Sequence, residues 1–330
     1  MSRSLSIEDL KRCWFVVGPT ACGKTDLAVL LAQRLNGEII ALDSMSLYRG
    51  MDIGTAKPPV EIRAAVPHHM IDIIDPWEEY SVSQYVSESE GIVRSVLDRG
   101  RIPIFVGGTG LYLRSLLRGV FEGPPADWSL RRQLEETAAR AGSAALHARL
   151  QQIDPMSARR IHPNDLRRIV RALEVFETTG HPLSQLQQNL PLAPEQRPPN
   201  VWFLRPRRDA LYRRIDRRVE TMFAQGLEEE VRRLLDLPRP LGRTARQAIG
   251  YKELIDAWHQ TGTQQLSPSQ RREVIARIQT RTRQFAKRQY TWFNNLPECR
   301  PLDIDADATP KTLLELLLRH ARDESGISAR

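Results

Sequence analysis

The stretch Gly18-Pro19-Thr20-Ala21-Cys22-Gly23-Lys24-Thr25 fits G-x-x-x-x-G-K-[ST], and no other feature limits the possible folds as tightly. It follows the apolar run 13–17 and opens into a helical pattern over 26–32, the strand–loop–helix setting a phosphate-binding loop requires. The glycines allow a tight turn, so backbone N–H groups and a helix N-terminus converge on an anion. Lys24 adds positive charge at the terminal phosphate, and the Thr25 hydroxyl suits a Mg2+ ion. The expected fold is α/β, with a P-loop NTPase-like parallel sheet.

Residues 38–43 read as a second buried strand ending in the carboxylate of Asp43. Ligands of open α/β sheets collect outside the C-terminal strand edges, so Asp43 is expected to face whatever the loop holds. The competing role is a helix cap or a group behind a Mg2+ ion. The connection over 44–58 is long enough to be functional. Next come two adjacent histidines, His68 and His69, before a short apolar strand. Neighbouring side chains of an extended segment point to opposite faces, which makes them a poor metal pair and favours a structural role. A helix is expected over 83–97 and a strand over 102–106. That strand runs into a second glycine turn, Gly107-Gly108-Thr109-Gly110, whose N–H groups and Thr109 hydroxyl aim at the same crevice.

Clustered Gly and Pro over 119–125 mark a boundary, 128–188 is helical in pattern, and a proline-rich stretch closes near 199. The expected organisation is a core from 1–122 and 200–300, a helical insertion over 123–199, and a terminal helix with a polar end over 301–330. Within the insertion, Leu166, Ile169, Val170, Leu173 and Phe176 form an apolar stripe. Arg167, Arg168 and Arg171 fall opposite it within roughly 100° of arc, as a phosphate-tracking surface or as a solvated face. A charged helix over 209–235, carrying Arg213, Arg214, Arg217 and Arg218, breaks or bends at Gly226. A long basic helix over 267–290 ends in Lys287-Arg288-Gln289-Tyr290-Thr291-Trp292-Phe293-Asn294. Cations interleaved with aromatics bind backbone phosphates and stack bases, or else pack as core with snorkelling stems.

The formal charge of +8, from 48 Lys+Arg against 40 Asp+Glu in 330 residues, suggests a polyanionic partner. Three scattered cysteines, Cys13, Cys22 and Cys299, exclude a disulfide framework or zinc cluster. With no signal-peptide pattern and no apolar run of membrane-spanning length, a cytoplasmic protein is expected, with no membrane partner.

Six stretches carry a family resemblance: 18–25; Asp43-Ser44 through Asp52-Ile53-Gly54-Thr55-Ala56-Lys57-Pro58; 107–112; 168–174; 248–253; and 287–293. Over about 12–295 the chain resembles the bacterial tRNA dimethylallyltransferase family, with the D-I-G-T-A-K-P stretch the most specific signature. The resemblance implies a P-loop core with a helical insertion; a monomer is expected. It also implies transfer of a dimethylallyl group from dimethylallyl diphosphate to N6 of adenosine 37 in the tRNA anticodon stem-loop.

By the same resemblance, Gly18, Pro19, Thr20, Ala21, Cys22, Gly23, Lys24 and Thr25 hold the donor diphosphate instead of ATP, with Mg2+ on Thr25. Asp43 is the base at the adenine amine, and Thr109 and Lys24 complete the catalytic set. Contacts to tRNA fall on Asp43, Ser44, Met45 and Ser46, on Thr109, and on Arg131. Others fall on Arg167, Arg168, Ile169, Val170 and Arg171, on Gln247, Ala248, Ile249, Gly250, Tyr251 and Lys252, and on 287–294. Ser46 stands where glutamine or leucine is common in the family, and Arg167 where glutamine is usual.

The chemistry suits these residue types. The N6 lone pair is delocalised into the adenine ring, so a carboxylate that accepts its proton helps the bond form. Diphosphate departure builds negative charge that loop amides, Lys24 and Mg2+ stabilise. The adenine must also leave its stack. Other readings are a P-loop small-molecule or nucleotide kinase, an RNA-binding ATPase, or a prenyltransferase of free nucleotides. The kinase and the free-nucleotide enzyme leave the arginine-rich insertion and the basic–aromatic helix unexplained, while an RNA-binding ATPase, or a non-catalytic RNA-binding protein, predicts ATP affinity or no turnover. If the insertion helix tracks phosphates, Arg167→Ala will weaken tRNA binding and reduce the salt slope of binding by roughly 0.7 for each phosphate no longer neutralised. An unchanged slope in a salt titration assigns that face to solvent.

Overall fold

The computed structural model of the chain describes residues 5–121, 123–187 and 190–325. They form two compact units, one from 118–190 and the other from the chain on either side of it.

The larger unit is built on a six-stranded parallel sheet. Its strands are β1 (Trp14–Val17), β2 (Gly37–Leu42), β3 (His68–His69), β4 (Ile102–Gly107), β5 (Val201–Pro206) and β6 (Arg300–Ile304). The spatial order is β3-β2-β4-β1-β5-β6. Parallel neighbours require crossovers, and helices supply them. They include α1 (Lys24–Leu35), α2 (Val82–Asp98), α3 (Gly110–Arg118) and α4 (Arg208–Ala224), then α5 (Leu227–Leu235), α6 (Tyr251–Thr261) and α7 (Pro268–Asn294), while α8 (Pro310–Ser325) follows the last strand.

Strand residues alternate between two covered faces, which is why these segments read as continuous apolar runs. Val16, Ile104, Trp202, Leu204 and Leu302 pack with Leu27 and Leu31 of α1 and Leu313 and Leu317 of α8. Opposite them, Phe15 stacks on Phe105 at 4.9 Å, and Phe203 meets Tyr290 and Phe293 of α7 at 5.3 and 5.6 Å.

Two strands differ from expectation. The terminal region contributes β6 as well as a helix, hidden in sequence because only Leu302 and Ile304 alternate inward around a proline and an aspartate. An edge strand tolerates that proline. The polar end expected beyond 325 lies outside the described residues. The third strand is the histidine pair itself and not the apolar residues after it. His69 Nε2 lies 2.7 Å from buried Glu38, His68 Nδ1 lies 2.7 Å from the Val66 carbonyl, and the backbone then turns away through Met70 at φ 61 and Asp72 at φ 56. Both histidines are structural.

The D-I-G-T-A-K-P loop is held from two sides. The buried Glu230 carboxylate of α5 accepts the amides of Asp52, Ile53 and Gly54 at 3.0, 2.8 and 3.1 Å, and the Tyr251 hydroxyl at 2.6 Å. Lys57, its side chain 2 % exposed, donates to Asp52, Asp72 and the Tyr48 carbonyl. This buried lysine is neutralised by two carboxylates, which is what makes its burial tolerable. Glycine is required at position 54 because a Cβ there would overlap the Tyr251 ring.

The smaller unit packs helices Trp128–Ala141, Ser143–Ile153 and Leu166–Thr179 around Leu134, Leu146, Leu150, Ile169 and Leu173. Asp127, Asp154 and Asp165 cap helix N-termini through their side chains. The unit ends at 190 and not at 199, because the proline-rich stretch is bound into the sheet-bearing unit. There the buried Glu298 accepts the Leu192 amide at 3.0 Å, and Arg197 donates to the Pro297 carbonyl at 3.2 Å.

Two glycines test this packing. Gly54→Ala, against the Tyr251 ring, is expected to cost about 1–3 kcal/mol. Exposed Gly91, inside α2 with open space around it, should gain roughly 0.5–1 kcal/mol as alanine. Urea unfolding midpoints that move in the same direction for both variants contradict the arrangement.

Candidate active site

The register of the three central strands creates the site. Val17 and Leu42 both lie level with Gly107, so the chain leaves β1, β2 and β4 at one height. Gly18, Asp43 and Gly108 are the next residues on each. Backbone bonds tie the exits together, from Gly18 N–H to the Gly107 carbonyl at 3.3 Å and from Thr109 N–H to the Leu42 carbonyl at 3.1 Å. The Thr109 hydroxyl accepts the Ser44 amide at 3.1 Å, and the Asp43 carboxylate accepts the Met45 amide at 2.8 Å. Ser46 donates its hydroxyl to the Asp43 carbonyl at 3.0 Å. Asp43 is therefore half-buried on a turn whose backbone is fixed from β4. Burial, then the charges of Tyr48 and Asp43, push the nearby Tyr112 phenol well above its ordinary pKa and keep it neutral.

On the P-loop, Lys24 departs from its expected pose. Its ammonium donates to the Gly18 and Pro19 carbonyls at 3.0 and 2.6 Å and to Cys22 Sγ at 3.7 Å, closing the loop on itself. Thr25, in the first turn of α1, is half-buried, and its hydroxyl has no hydrogen-bond partner among the described residues. It is free to take a metal ion bound jointly with phosphate oxygens. No cluster of three or more His, Cys, Asp or Glu side chains suited to a metal occurs among the described residues. The free Thr25 hydroxyl beside the P-loop fits Mg2+, which enters such sites largely on phosphate oxygens and water.

Sequence reasoning missed the wall facing this loop. A cavity of about 960 Å³ is lined by Ala21, Cys22 and Gly23, by residues of the D-I-G-T-A-K-P loop, and by Arg213, Arg214, Arg217 and Arg218 of α4. Arg213 reaches Asp209 at 3.4 Å and Arg214 donates to the Ala306 carbonyl at 2.6 Å. The guanidiniums of Arg217 and Arg218 make no hydrogen bond or ion pair among the described residues. Burial pulls the Arg218 guanidinium below its ordinary pKa, with Cys22 and Asp26 opposing that shift. A desolvated cation without a partner is costly until an anion arrives. The signal was present as two pairs of arginines at i, i+4 spacing opposite Ile215 and Val219, but a charged helix in sequence does not say what it faces.

The segments assigned to tRNA divide by burial. Ile169, Val170, Ala248, Gly250, Tyr251, Gln289 and Phe293 are buried. Exposed residues are Arg167, Arg168, Gln247, Lys287, Arg288, Thr291 and Asn294, with Ile249 and Lys252 half-buried and Lys252 paired to Asp256 at 2.6 Å. Tyr290 and Trp292 pack against Phe203 and beneath Arg114 and are half-buried, so the aromatics of this helix belong mainly to the core. The arc of Arg167, Arg168 and Arg171 is less free than its spacing implies. Arg168 pairs with Asp165 at 3.3 Å, and Arg171 with the fully buried Glu174 at 2.5 Å. Arg131 grips the same carboxylate at 2.8 and 2.9 Å and lies 5.0 Å from the ring of Trp128. Burial alone would raise the Glu174 pKa, but these guanidiniums outweigh it and hold the carboxyl below the usual range.

Comparison with known proteins agrees with this geometry. The family model described as IPP transferase matches residues 46–296. The tRNA dimethylallyltransferase of Rhodopirellula baltica is 44% identical over 305 residues, covering 89% of each chain. That of Pelotomaculum thermopropionicum is 42% identical over 320 residues, covering 96% of this chain and 98% of its own. Among solved structures, the full-length tRNA isopentenylpyrophosphate transferase of Bacillus halodurans superposes with a TM-score of 0.66 at 39% identity, over 95% of this chain and 98% of that one. A eukaryotic dimethylallyltransferase solved acting on tRNA gives 0.67 at 29% identity, over 88% and 73%. With a P-loop, an aligned aspartate and a relationship that runs almost end to end, the chain belongs to the IPP transferase family.

Proposed function

We propose that the protein transfers a dimethylallyl group from dimethylallyl diphosphate to N6 of adenosine 37 in the anticodon stem-loop of tRNA. The observation that carries this reading is the cationic cavity, in which the unpaired Arg217 and Arg218 face the P-loop at Ala21–Cys22–Gly23. The amides of the loop and of the first turn of α1 bind the diphosphate from one side and the arginines from the other. Asp43, held by Thr109 through Ser44, takes a proton from the adenine amine as the new N6–carbon bond forms and the allylic carbon–oxygen bond breaks. The electron pair of the broken bond leaves on the diphosphate, where Lys24 and the guanidiniums oppose its charge. When bound, Mg2+ on Thr25 and the phosphate oxygens supplies further charge neutralisation.

RNA is bound by backbone phosphates on exposed Arg167 and Arg168 in the smaller unit, and on Lys287 and Arg288 in α7. Trp128, 48 % exposed over Arg131, offers a face on which an unpaired base can stack. No described helix is long and apolar enough to cross a membrane. We assign the reaction to the cytoplasm, where tRNA is met, and to a monomer, since one chain supplies every residue named.

The direct test is mass spectrometry of an unmodified anticodon stem-loop after incubation with protein, Mg2+ and dimethylallyl diphosphate, beside a tube containing ATP. A dimethylallyl increment on one adenosine, seen only with the prenyl donor, is expected. ATP consumption with small hydroxyl compounds and no adduct would move the protein to the kinases. For the base, Asp43→Ala is expected to lower kcat by about 10²–10⁴-fold with little change in the Kd for stem-loop RNA. Parallel losses in rate and RNA binding would instead make Asp43 a binding residue.

A further inference from the structure

Gln289 lies within the stretch that resemblance assigned to tRNA, yet it is only 6 % exposed and faces the sheet edge. Its side-chain Oε1 accepts the Thr20 amide of the P-loop at 2.9 Å, and its Nε2 donates to the Gly108 carbonyl of the second glycine turn, also at 2.9 Å. One side chain on α7 therefore spans the two glycine turns, meeting an N–H on one and a C=O on the other. A carboxamide offers an acceptor and a donor on separate atoms, which suits this bridge. Gly108 is matched to it, since a Cβ at that position would overlap Nε2. The helix is seated on either side by buried Ala286 and Phe293, so the amide is mounted on a rigid turn.

The bonds continue toward the acceptor side. Gly108 precedes Thr109, Thr109 holds the Ser44 amide, and Ser44 follows Asp43. A hydrogen-bonded path thus runs from the donor-binding loop through Gln289 to the turn that carries the base. We propose that Gln289 is a positioning residue that fixes the spacing between the P-loop and the Asp43 turn, and makes no contact with RNA. The role rests on the prenyl-transfer reading given above. It also divides α7 by face, with exposed Lys287 and Arg288 toward RNA and Gln289 toward the two loops.

The test uses the full chain with Gln289→Met, which keeps the volume and removes both bonds, and Gln289→Glu, which keeps the acceptor for Thr20 and loses the donor for Gly108. Lys287→Ala serves as the comparison on the exposed face. Misplacement of reacting groups by an ångström costs up to about 10²-fold, so kcat should fall at least tenfold in both Gln289 variants. Loss of loop hydrogen bonds should raise the Kd of inorganic diphosphate with Mg2+ by about 2–10-fold in Gln289→Met. The Kd for stem-loop RNA should stay within about twofold in both, while Lys287→Ala should weaken RNA binding in a salt-dependent manner. A folded Gln289 variant with wild-type kcat and diphosphate affinity, or one changed only in RNA affinity, overturns the positioning role alone. A wild-type protein that neither binds diphosphate nor modifies RNA overturns the functional reading, and the positioning role with it.

Discussion

Everything at the site depends on one register, with Val17, Gly107 and Leu42 level across three parallel strands. Parallel ladders direct all their C-terminal ends to one edge, and this one also ends them at the same height. The next residue on each strand then begins a loop with chemistry in it: the first glycine of the P-loop, the carboxylate of Asp43, and the turn that presents Thr109. A slip of one residue would reverse the faces of the strand and carry its functional residue away from the crevice. Phe15 stacked on Phe105, with Val16 and Ile104 packed on the other side, supports the register that the backbone bonds set.

A second theme is the buried carboxylate used as a clamp. Glu38 collects His69, Arg99 and Arg101; Glu174 collects Arg131 and Arg171; Glu230 collects three amides and a phenol; Glu298 takes the Leu192 amide. Each is buried and each joins segments far apart in the chain. A carboxylate meeting several donors recovers the solvation it lost, and its partners become fixed relative to one another. The irregular loops around the site are thereby made nearly as rigid as the strands.

These clamps also mark the limit of what could be read from the sequence. Local signals were legible: the P-loop, the apolar runs at 13–17, 38–43 and 102–106, the break at Gly226, and the helical insertion all rest on short-range periodicity or glycine chemistry. Asp43 could be placed at a strand's C-terminal edge, because that follows from the strand itself. The partners of Glu230 and Gln289 could not, since an acid or an amide on a helix does not announce a loop more than a hundred residues away. The same holds for Arg217 and Arg218, whose spacing was plain but whose target was not. Of the residues grouped by segment as RNA contacts, Ile169 and Val170 already stood on the apolar stripe, so periodicity turned their side chains inward. Burial of Gln289 was beyond it, because glutamine beside lysine and arginine looks solvated.

The pairing of α1 with α8 has a temporal side. Leu27 and Leu31 share their core with Leu313 and Leu317, and β5 finds its second neighbour only in β6. Chains emerge at about 5–20 residues per second, so the P-loop helix waits tens of seconds on the ribosome for the segment that covers it. Through that interval its apolar face is exposed, as is one edge of the growing sheet. The smaller unit, whose contacts are local, is free to fold as soon as it appears.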